Sequence, residues 1–331
     1  MKKITAAITG IGHYVPETVL SNKDLEKIVD TTDEWIVSRT GIKERRILDK
    51  NLPTSFMAER AIEKMLSRKN VTIEDTDIII FASVTPDMLF PSTCCLIQDK
   101  FQMKNAWGFD MLAACSGFLF SLATGAKFIE SGMYKKVLVI GADKMSSITN
   151  YKDRNTCILF GDGAGCVLLE PSKEEGYGII DELLHIDGRG SEFLYMKGGG
   201  SLNPPSHETV DNDMHYVYQE GKTVFKEAVK GMADISYEII EKNMLTADDI
   251  AYLIPHQANY RIITACASRM GLPMDKVMVN IDKYGNTTSG TIPICISELL
   301  EEGKLKKGDR LVISSFGAGY TWGAILVRWA Y

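Results

Sequence analysis

"WGFDMLAACSGFLFSLATGAKFIESGMYKKVLVIGAD", residues 107 to 143, decides the fold once it is laid beside "VMVNIDKYGNTTSGTIPICISELLEEGKLKKGDRLVISSFGAG", residues 277 to 319. Each reads as a strand, a small-residue turn containing glycine, a helix ending near Gly132 or Gly303, a basic turn and a second strand. A shorter pair precedes them in the same order. "IEDTDIIIFASVTPD" (73 to 87) and "LTADDIAYLIPHQAN" (245 to 259) both run from an acidic turn through an apolar strand into a polar loop with proline. The two offsets nearly coincide and are too long for a solenoid repeat. They predict a duplicated α/β domain with a boundary near "LLEPSKEEG" (168 to 176), that is, one half over 1–171 and another over 172–331.

Strands such as "DIIIFAS", "KVLVIGA" and "RLVISSF" are apolar almost throughout, the pattern of sheets covered by helices on both faces. Helices alternate with them, so largely parallel sheets are expected. Ligands of such sheets gather beyond the carboxyl ends of the strands. Cys115, His256, Asn286 and "FGAG" (316 to 319) all follow predicted strands. Between the copies, "HIDGRGSEFLYMKGGGSLNPPSHETVDNDM" is long for a structureless loop, and such segments are usually covers over a site or flexible.

Composition excludes several classes. The chain has 331 residues, 45% hydrophobic and 24% charged, which suits a globular protein with two domain-sized cores. The longest uncharged stretch, Met111 to Ala126, is interrupted by Ser and Gly and is shorter than the roughly 20 residues that span a bilayer. The N-terminal "MKKITAAITGIGHYVP" reads as a first strand rather than a signal peptide, so a cytoplasmic protein is expected. Seven cysteines at irregular spacing, without C-x-x-C, argue against a disulfide framework and a structural zinc site. A net charge of -6 argues against bulk nucleic-acid or anionic-membrane binding.

Free cysteines are mostly small buried hydrophobes, and Cys94, Cys95, Cys157, Cys166, Cys266 and Cys295 take that reading. Cys115 differs, because strand turns into helix around it and Ala113, Ala114 and Gly117 leave room for a ligand. A helix N-terminus favours a thiolate, so a lowered thiol pKa is expected there. His256 and Asn286, each just past a strand, are weak signals alone. Duplicated geometry would bring the strand ends of both copies to one centre, where thiol, imidazole and carboxamide converge.

"DMLAACSGF" (110 to 118), "HQAN" (256 to 259), "YGNTTSGTIP" (284 to 293), "FGAGYTWGA" (316 to 324) and "TTDEWIVSRTGIKERR" (31 to 46) resemble β-ketoacyl-acyl carrier protein synthase III, the initiating condensing enzyme of bacterial type II fatty acid synthesis. The resemblance runs in order from about residue 3 to 329. It implies the duplicated, five-layered αβαβα thiolase-like fold and a homodimer. It makes Cys115 the acylated nucleophile and pairs His256 with Asn286 on the malonyl thioester carbonyl. Decarboxylation delivers a carbanion without a strong base, so two hydrogen-bond donors for an enolate oxygen suffice. A biosynthetic thiolase would need a second cysteine near the last strand, and none occurs between Ile296 and Tyr331. Elongating synthases use two histidines, where this chain has Asn286 as the second partner.

The resemblance further implies an oxyanion hole from the backbone N–H groups of Cys115 and Ala318, the latter a position where many relatives have glycine. Trp35, Arg39, Arg154 and Asn259 match the coenzyme A entrance, and Phe90 the residue that floors the partner's acyl pocket. Lys226, Gln257, Ala258, Asn259, Tyr260, Arg261 and Arg269 match or adjoin the docking patch for the acidic acyl carrier protein. No cofactor or metal is expected, coenzyme A being a substrate as its acyl thioester, and malonyl-acyl carrier protein is the expected second substrate. The neighbouring reading keeps Cys115 in a related acyltransferase or ketosynthase of specialised metabolism. "FGDGAG" (160 to 165) mimics a dinucleotide fingerprint but leads into "CVLLE", a strand and not a helix, so it reads as a tight turn.

Overall fold

The structure, a computed structural model, describes residues 4–68 and 70–331. The first half contributes β1 (Ala6–Tyr14), α1 (Asp33–Thr40), α2 (Thr54–Leu66), β2 (Ile78–Ala82), α3 (Thr93–Lys100), β3 (Trp107–Met111), α4 (Gly117–Glu130), β4 (Val137–Asp143) and β5 (Gly163–Pro171). The second contributes β6 (Gly178–Ile186), α5 (Gly221–Lys242), β7 (Tyr252–Pro255), α6 (Tyr260–Met270), α7 (Thr291–Glu301), β8 (Arg310–Gly317) and β9 (Thr321–Arg328).

The first sheet has the order β1-β5-β4-β2-β3, and the second β6-β9-β8-β7. In the first, β1–β5 and β5–β4 are antiparallel while β4–β2 and β2–β3 are parallel. The second repeats this: β6–β9 and β9–β8 antiparallel, β8–β7 parallel. The expectation of largely parallel sheets therefore needs correction. The last strand of each half returns without a crossover helix, so it must run antiparallel. A second correction concerns "VMVN": where a strand equivalent to β3 was expected, the second half makes only a parallel bridge between Leu253 and Val277. Instead Gln257 spends its side chain on this segment, donating to Met278 O (3.0 Å) and accepting from the N–H groups of Asn280 (3.1 Å) and Ile281 (3.2 Å).

The strands β2 and β4 are buried at every position, which is why they read as unbroken apolar runs. Helices α4 and α7 contact both sheets and form the middle layer. Their buried side chains, including Phe118, Leu122, Ile129, Ile292, Ile296 and Leu299, belong to one core with inward residues of both sheets. Each such large side chain contributes roughly 1.5 to 3 kcal/mol when fully buried. Pro293 sits in the first turn of α7, where no intrahelical N–H bond is lost. Helices α2 and α3 cover the outside of the first sheet, and α5 and α6 that of the second. The result is five layers, αβαβα.

"FGDGAG" runs straight into β5, so its last glycines are strand residues rather than a turn. A Cβ at Gly165 would lie 2.7 Å from the Pro293 side chain, so glycine here admits α7 against the strand. The long segment after β6 is ordered into a short helix, His207–Asp211, and a two-stranded ribbon pairing Leu194–Tyr195 with Tyr218–Gln219.

Candidate active site

A cavity of about 1020 Å³ opens at the carboxyl ends of the parallel strands, and Cys115, His256, Asn286, Phe316, Gly317 and Ala318 line its inner end. Cys115 sits in a single 3-10 turn, Ala114–Ser116, between β3 and α4. Ala114 adopts φ +46°, an uncommon conformation for a residue with a Cβ. The turn is tied down by the other half: Ser315 Oγ donates to Cys115 O (2.7 Å), Ser116 Oγ to Thr321 O (3.0 Å), and Thr321 Oγ1 to Ala113 O (3.1 Å). A Cβ at Gly317 would lie 2.9 Å from Cys115 N and 3.0 Å from Ser116 N, so only glycine lets β8 approach the Cys115 turn this closely.

His256 follows β7 directly and its N–H donates to Ser314 O (2.8 Å). Its ring is fully buried, yet neither ring nitrogen has a hydrogen-bond partner. A buried imidazole with both nitrogens unsatisfied is costly in isolation and is suited to receive a ligand. Burial also lowers its pKa to about 3, so the ring is neutral and offers one N–H donor. Asn286 is fixed through its backbone, its N–H donating to Leu159 O (2.8 Å) while its carbonyl accepts from Gly161 N (3.0 Å). Its Oδ1 accepts from Thr288 N (2.9 Å), which leaves Nδ2 as the donor directed to the Cys115 thiol.

The expected depression of the Cys115 pKa is overturned. Burial pushes the thiol up to about 12, the charge of Asp143 adds to this, and the hydrogen bond from Asn286 opposes it. Cys115 is only 8% exposed, and one helix end does not offset the removal of a thiolate from water. Cys115 therefore rests as a thiol in the free protein.

Ala318 keeps a negative φ while Gly319 takes +134°. Alanine at 318 is therefore unstrained, because the positive φ falls on the glycine that follows it. At the cavity mouth, Arg39 lies 4.8 Å and Arg154 4.5 Å above the Trp35 ring. Asn259 caps α6 by accepting from Arg261 N (2.9 Å) and donates to Arg39 O (2.9 Å), so it joins α6 to α1 at this rim. The ribbon supplies Tyr195 and Tyr218, stacked at 4.8 Å, as a further wall.

The family model described as "3-Oxoacyl-[acyl-carrier-protein (ACP)] synthase III" matches residues 109–188, and its C-terminal counterpart matches residues 240–329. The β-ketoacyl-[acyl-carrier-protein] synthase III of Chlorobaculum tepidum is 60% identical, over 98% of this chain and 99% of its own length. The chain belongs to the β-ketoacyl-acyl carrier protein synthase III family. It is thus an acyl-transferring condensing enzyme with the thiolase-like fold. The crystal structure of 3-oxoacyl-[acyl-carrier-protein] synthase III from Aquifex aeolicus VF5 superposes with a TM-score of 0.90 at 42% identity, covering 98% of this chain and 100% of that one. The priming β-ketosynthase of the R1128 polyketide pathway gives 0.91 at 30% identity, covering 99% and 97%.

Within this synthase III scaffold the remaining predicted residues separate. Lys226, Tyr260, Arg261 and Arg269 are exposed on α5 and α6. Arg269 is already paired with Asp234 at 3.1 Å, whereas Arg261 lies over Phe225 with no carboxylate partner among the described residues. Gln257 is a correction: fully buried and bonded to backbone groups, it cannot touch a docked protein. Ala258 lines the cavity instead of an outer face. Phe90 is 84% exposed and lies outside its own chain's cavity. Sequence reading missed Asp143, Ser289, Ser315 and Thr321, which bind the site together from below. An acid closing the apolar run "VLVIGAD" was the available signal for Asp143.

Proposed function

We propose that Cys115 accepts an acyl group from a coenzyme A thioester and that His256 and Asn286 then drive decarboxylative condensation with malonyl-acyl carrier protein. The convergence of a thiol, a neutral imidazole with unpartnered nitrogens and a carboxamide donor in one cavity carries this reading. In the first half-reaction the Cys115 sulfur bonds to the thioester carbonyl carbon, and coenzyme A leaves with the thiol proton. In the second, the bond between the malonyl carboxylate and the α-carbon breaks and carbon dioxide departs. Its electron pair delocalises onto the thioester oxygen, where the His256 N–H and the Asn286 Nδ2–H stabilise the enolate. The α-carbon attacks acyl-Cys115, the oxyanion rests on the N–H groups of Cys115 and Ala318, and collapse expels the Cys115 thiolate, which takes up a proton.

Trp35, Arg39 and Arg154 suit the adenine and phosphates of coenzyme A, an aromatic face with guanidinium groups beside it. Arg261 and Lys226, with Tyr260 exposed at the start of α6, form the carrier-protein surface. The chain acts as a homodimer. Strand β3 is a sheet edge, and Leu89, Phe90 and Leu112, 80%, 84% and 77% exposed, surround it with apolar surface. In that pairing Phe90 floors the partner's acyl pocket. The halves divide at 171/172, between β5 and β6, and the enzyme works in the cytoplasm. Among the described residues no helix is long and apolar enough to cross a membrane.

Synthesis of specialised metabolites is the second reading, through the likeness to a polyketide priming synthase at 30% identity. The 60% identity to the Chlorobaculum enzyme favours fatty acid initiation. Incubation with radiolabelled acyl-coenzyme A, with and without malonyl-carrier protein, tests this. Label should move to protein in the first case and to a 3-oxoacyl-carrier protein in the second.

A further inference from the structure

Beneath Cys115 lies a buried acid that the reaction above does not use. Asp143, fully buried, closes β4. Its Oδ1 accepts from the N–H groups of Val84 (2.7 Å) and Thr85 (3.2 Å) and from the hydroxyls of Ser83 (3.0 Å) and Thr85 (3.1 Å). Its Oδ2 accepts from Ser289 N (3.0 Å) and from the Ser289 hydroxyl. Residues 83–85 leave β2 in the first half, whereas Ser289 belongs to the second half's loop that carries Asn286. One carboxylate therefore fastens the strand ends under the nucleophile to the loop that delivers the carboxamide.

That loop has little freedom of its own. Thr288, whose N–H orients the Asn286 amide, is held at φ +52°, and the Ser289 carbonyl presses against β4 so closely that a Cβ at Gly141 would lie 2.2 Å from it. A non-glycine residue stays in such a conformation only where the surroundings impose it. Ser289 follows Thr288 directly, so its bonds to Asp143, with the contact of its hydroxyl to Ala82 O (2.9 Å), are the nearest such constraints.

We propose that Asp143 is a positioning residue for the enolate site: by gripping Ser289 it holds the turn that aims the Asn286 carboxamide at the malonyl thioester. This rests on the reading of Asn286 as an enolate donor. A purely structural acid would serve both half-reactions alike, whereas this one favours the second. The acid has a separate effect on the first, because it raises the Cys115 pKa while burial raises its own against the hydrogen bonds from Ser289, Val84 and Ser83. Across the cavity His256 is neutral, and the neighbouring Lys144 ammonium is turned away to the carbonyls of Asp49 (2.9 Å), Lys50 (3.1 Å) and Leu52 (2.6 Å).

Two variants, Ser289→Ala and Asp143→Asn, test the proposal through acyl-enzyme formation, carbon dioxide release and the pH profile of Cys115 alkylation. Ser289→Ala removes the hydroxyl's bonds to the acid and to Ala82 O and keeps the acid itself, with its bond from Ser289 N. It should acylate within about twofold of wild type and lose about tenfold or more in kcat for decarboxylation with KM little changed, the scale of one hydrogen bond to a charged group. Its alkylation profile should stay in place. Asp143→Asn should lose more decarboxylation and shift the alkylation profile to lower pH. Wild-type decarboxylation in Ser289→Ala, or equal loss of both half-reactions in either variant, overturns the proposal. If Asp143→Asn does not fold, Ser289→Ala alone decides. A wild-type enzyme that released no carbon dioxide would instead remove the underlying reading.

Discussion

Ser315 Oγ donates a 2.7 Å hydrogen bond to the carbonyl oxygen of Cys115. A side chain from β8 of the second half thus holds Cys115, the proposed nucleophile, of the first. Both partners are buried, so the bond has no water to replace it. Ser315→Ala should cost about 1 to 3 kcal/mol, because the Cys115 carbonyl loses its side-chain donor in the interior. Thermal unfolding should show the loss of stability, and acylation should slow while substrate binding at the cavity mouth is retained. Unchanged Tm and unchanged acylation would show that the two halves meet at Cys115 without depending on this bond.

The cysteine is the only residue asked to bond covalently with the acyl group. Cys115→Ser should therefore fail to retain label from acyl-coenzyme A under conditions that saturate the wild type. Label retained at the wild-type rate would move the nucleophile elsewhere, and peptide mapping of the labelled site would say where. Because the thiol is raised to about 12, its alkylation by iodoacetamide in the free enzyme should be slower than that of a water-exposed cysteine at pH 8.

His256 gives the protein an acid sensitivity whose sign is fixed. Its folded-state pKa of about 3 lies below the ordinary 6.5, so between those values the unfolded chain binds a proton that the folded chain does not. Stability contributed by neutral His256 is complete above pH 6.5 and is lost as the pH falls toward 3. His13, lowered to about 4 by burial and then by Lys64, acts in the same direction. In urea unfolding, His256→Asn should flatten the loss of stability from pH 6.5 downward relative to wild type, with the His13 contribution remaining. Parallel curves would mean that the His256 ring is hydrated and titrates normally.

The proposed docking role of Arg261 separates the two substrates. It is exposed at the first turn of α6 and unpaired among the described residues, whereas Arg269 is neutralised by Asp234. Arg261→Glu should raise KM for malonyl-carrier protein and leave self-acylation by coenzyme A thioesters nearly intact, with a defect that shrinks as salt rises. Arg269→Glu should do less. Equal damage to both half-reactions would place Arg261 in the coenzyme A path instead.

Much of this architecture is legible in the chain because burial on two faces writes itself as unbroken apolar strands. The repeated strand, turn and helix around Cys115 and around Asn286 exposes the duplication in the same way. What could not be read depends on contacts far apart in sequence. "VMVN" has strand composition, but the Gln257 amide occupies the backbone groups that a further strand partner would use. Gln257 looked like a surface residue for the same reason, since its partners at 278, 280 and 281 are invisible locally. The direction of the Cys115 pKa failed because a helix start is a local feature while burial and Asp143 are tertiary ones. Nothing local in the sequence shows what Ser315 and Ser289 bond to. Ser315 closes an apolar strand and Ser289 stands among the polar residues of "NTTSGT", and each is an ordinary serine until the other half is placed against it.

The central claim divides the labour between the thiol and its two neighbours. The measurement that tests it most directly is acyl-enzyme formation by intact mass, followed beside carbon dioxide release, in His256→Ala and Asn286→Ala. Both variants should still become acylated on Cys115. Each should lose decarboxylation by about 100 to 1,000-fold, the usual effect of removing one oxyanion-type donor. The double variant should fall by less than the product of the two, because both donors serve one oxygen. A His256→Ala enzyme that cannot be acylated at any pH, while Asn286→Ala acylates normally, would make His256 the base for the thiol and contradict the account.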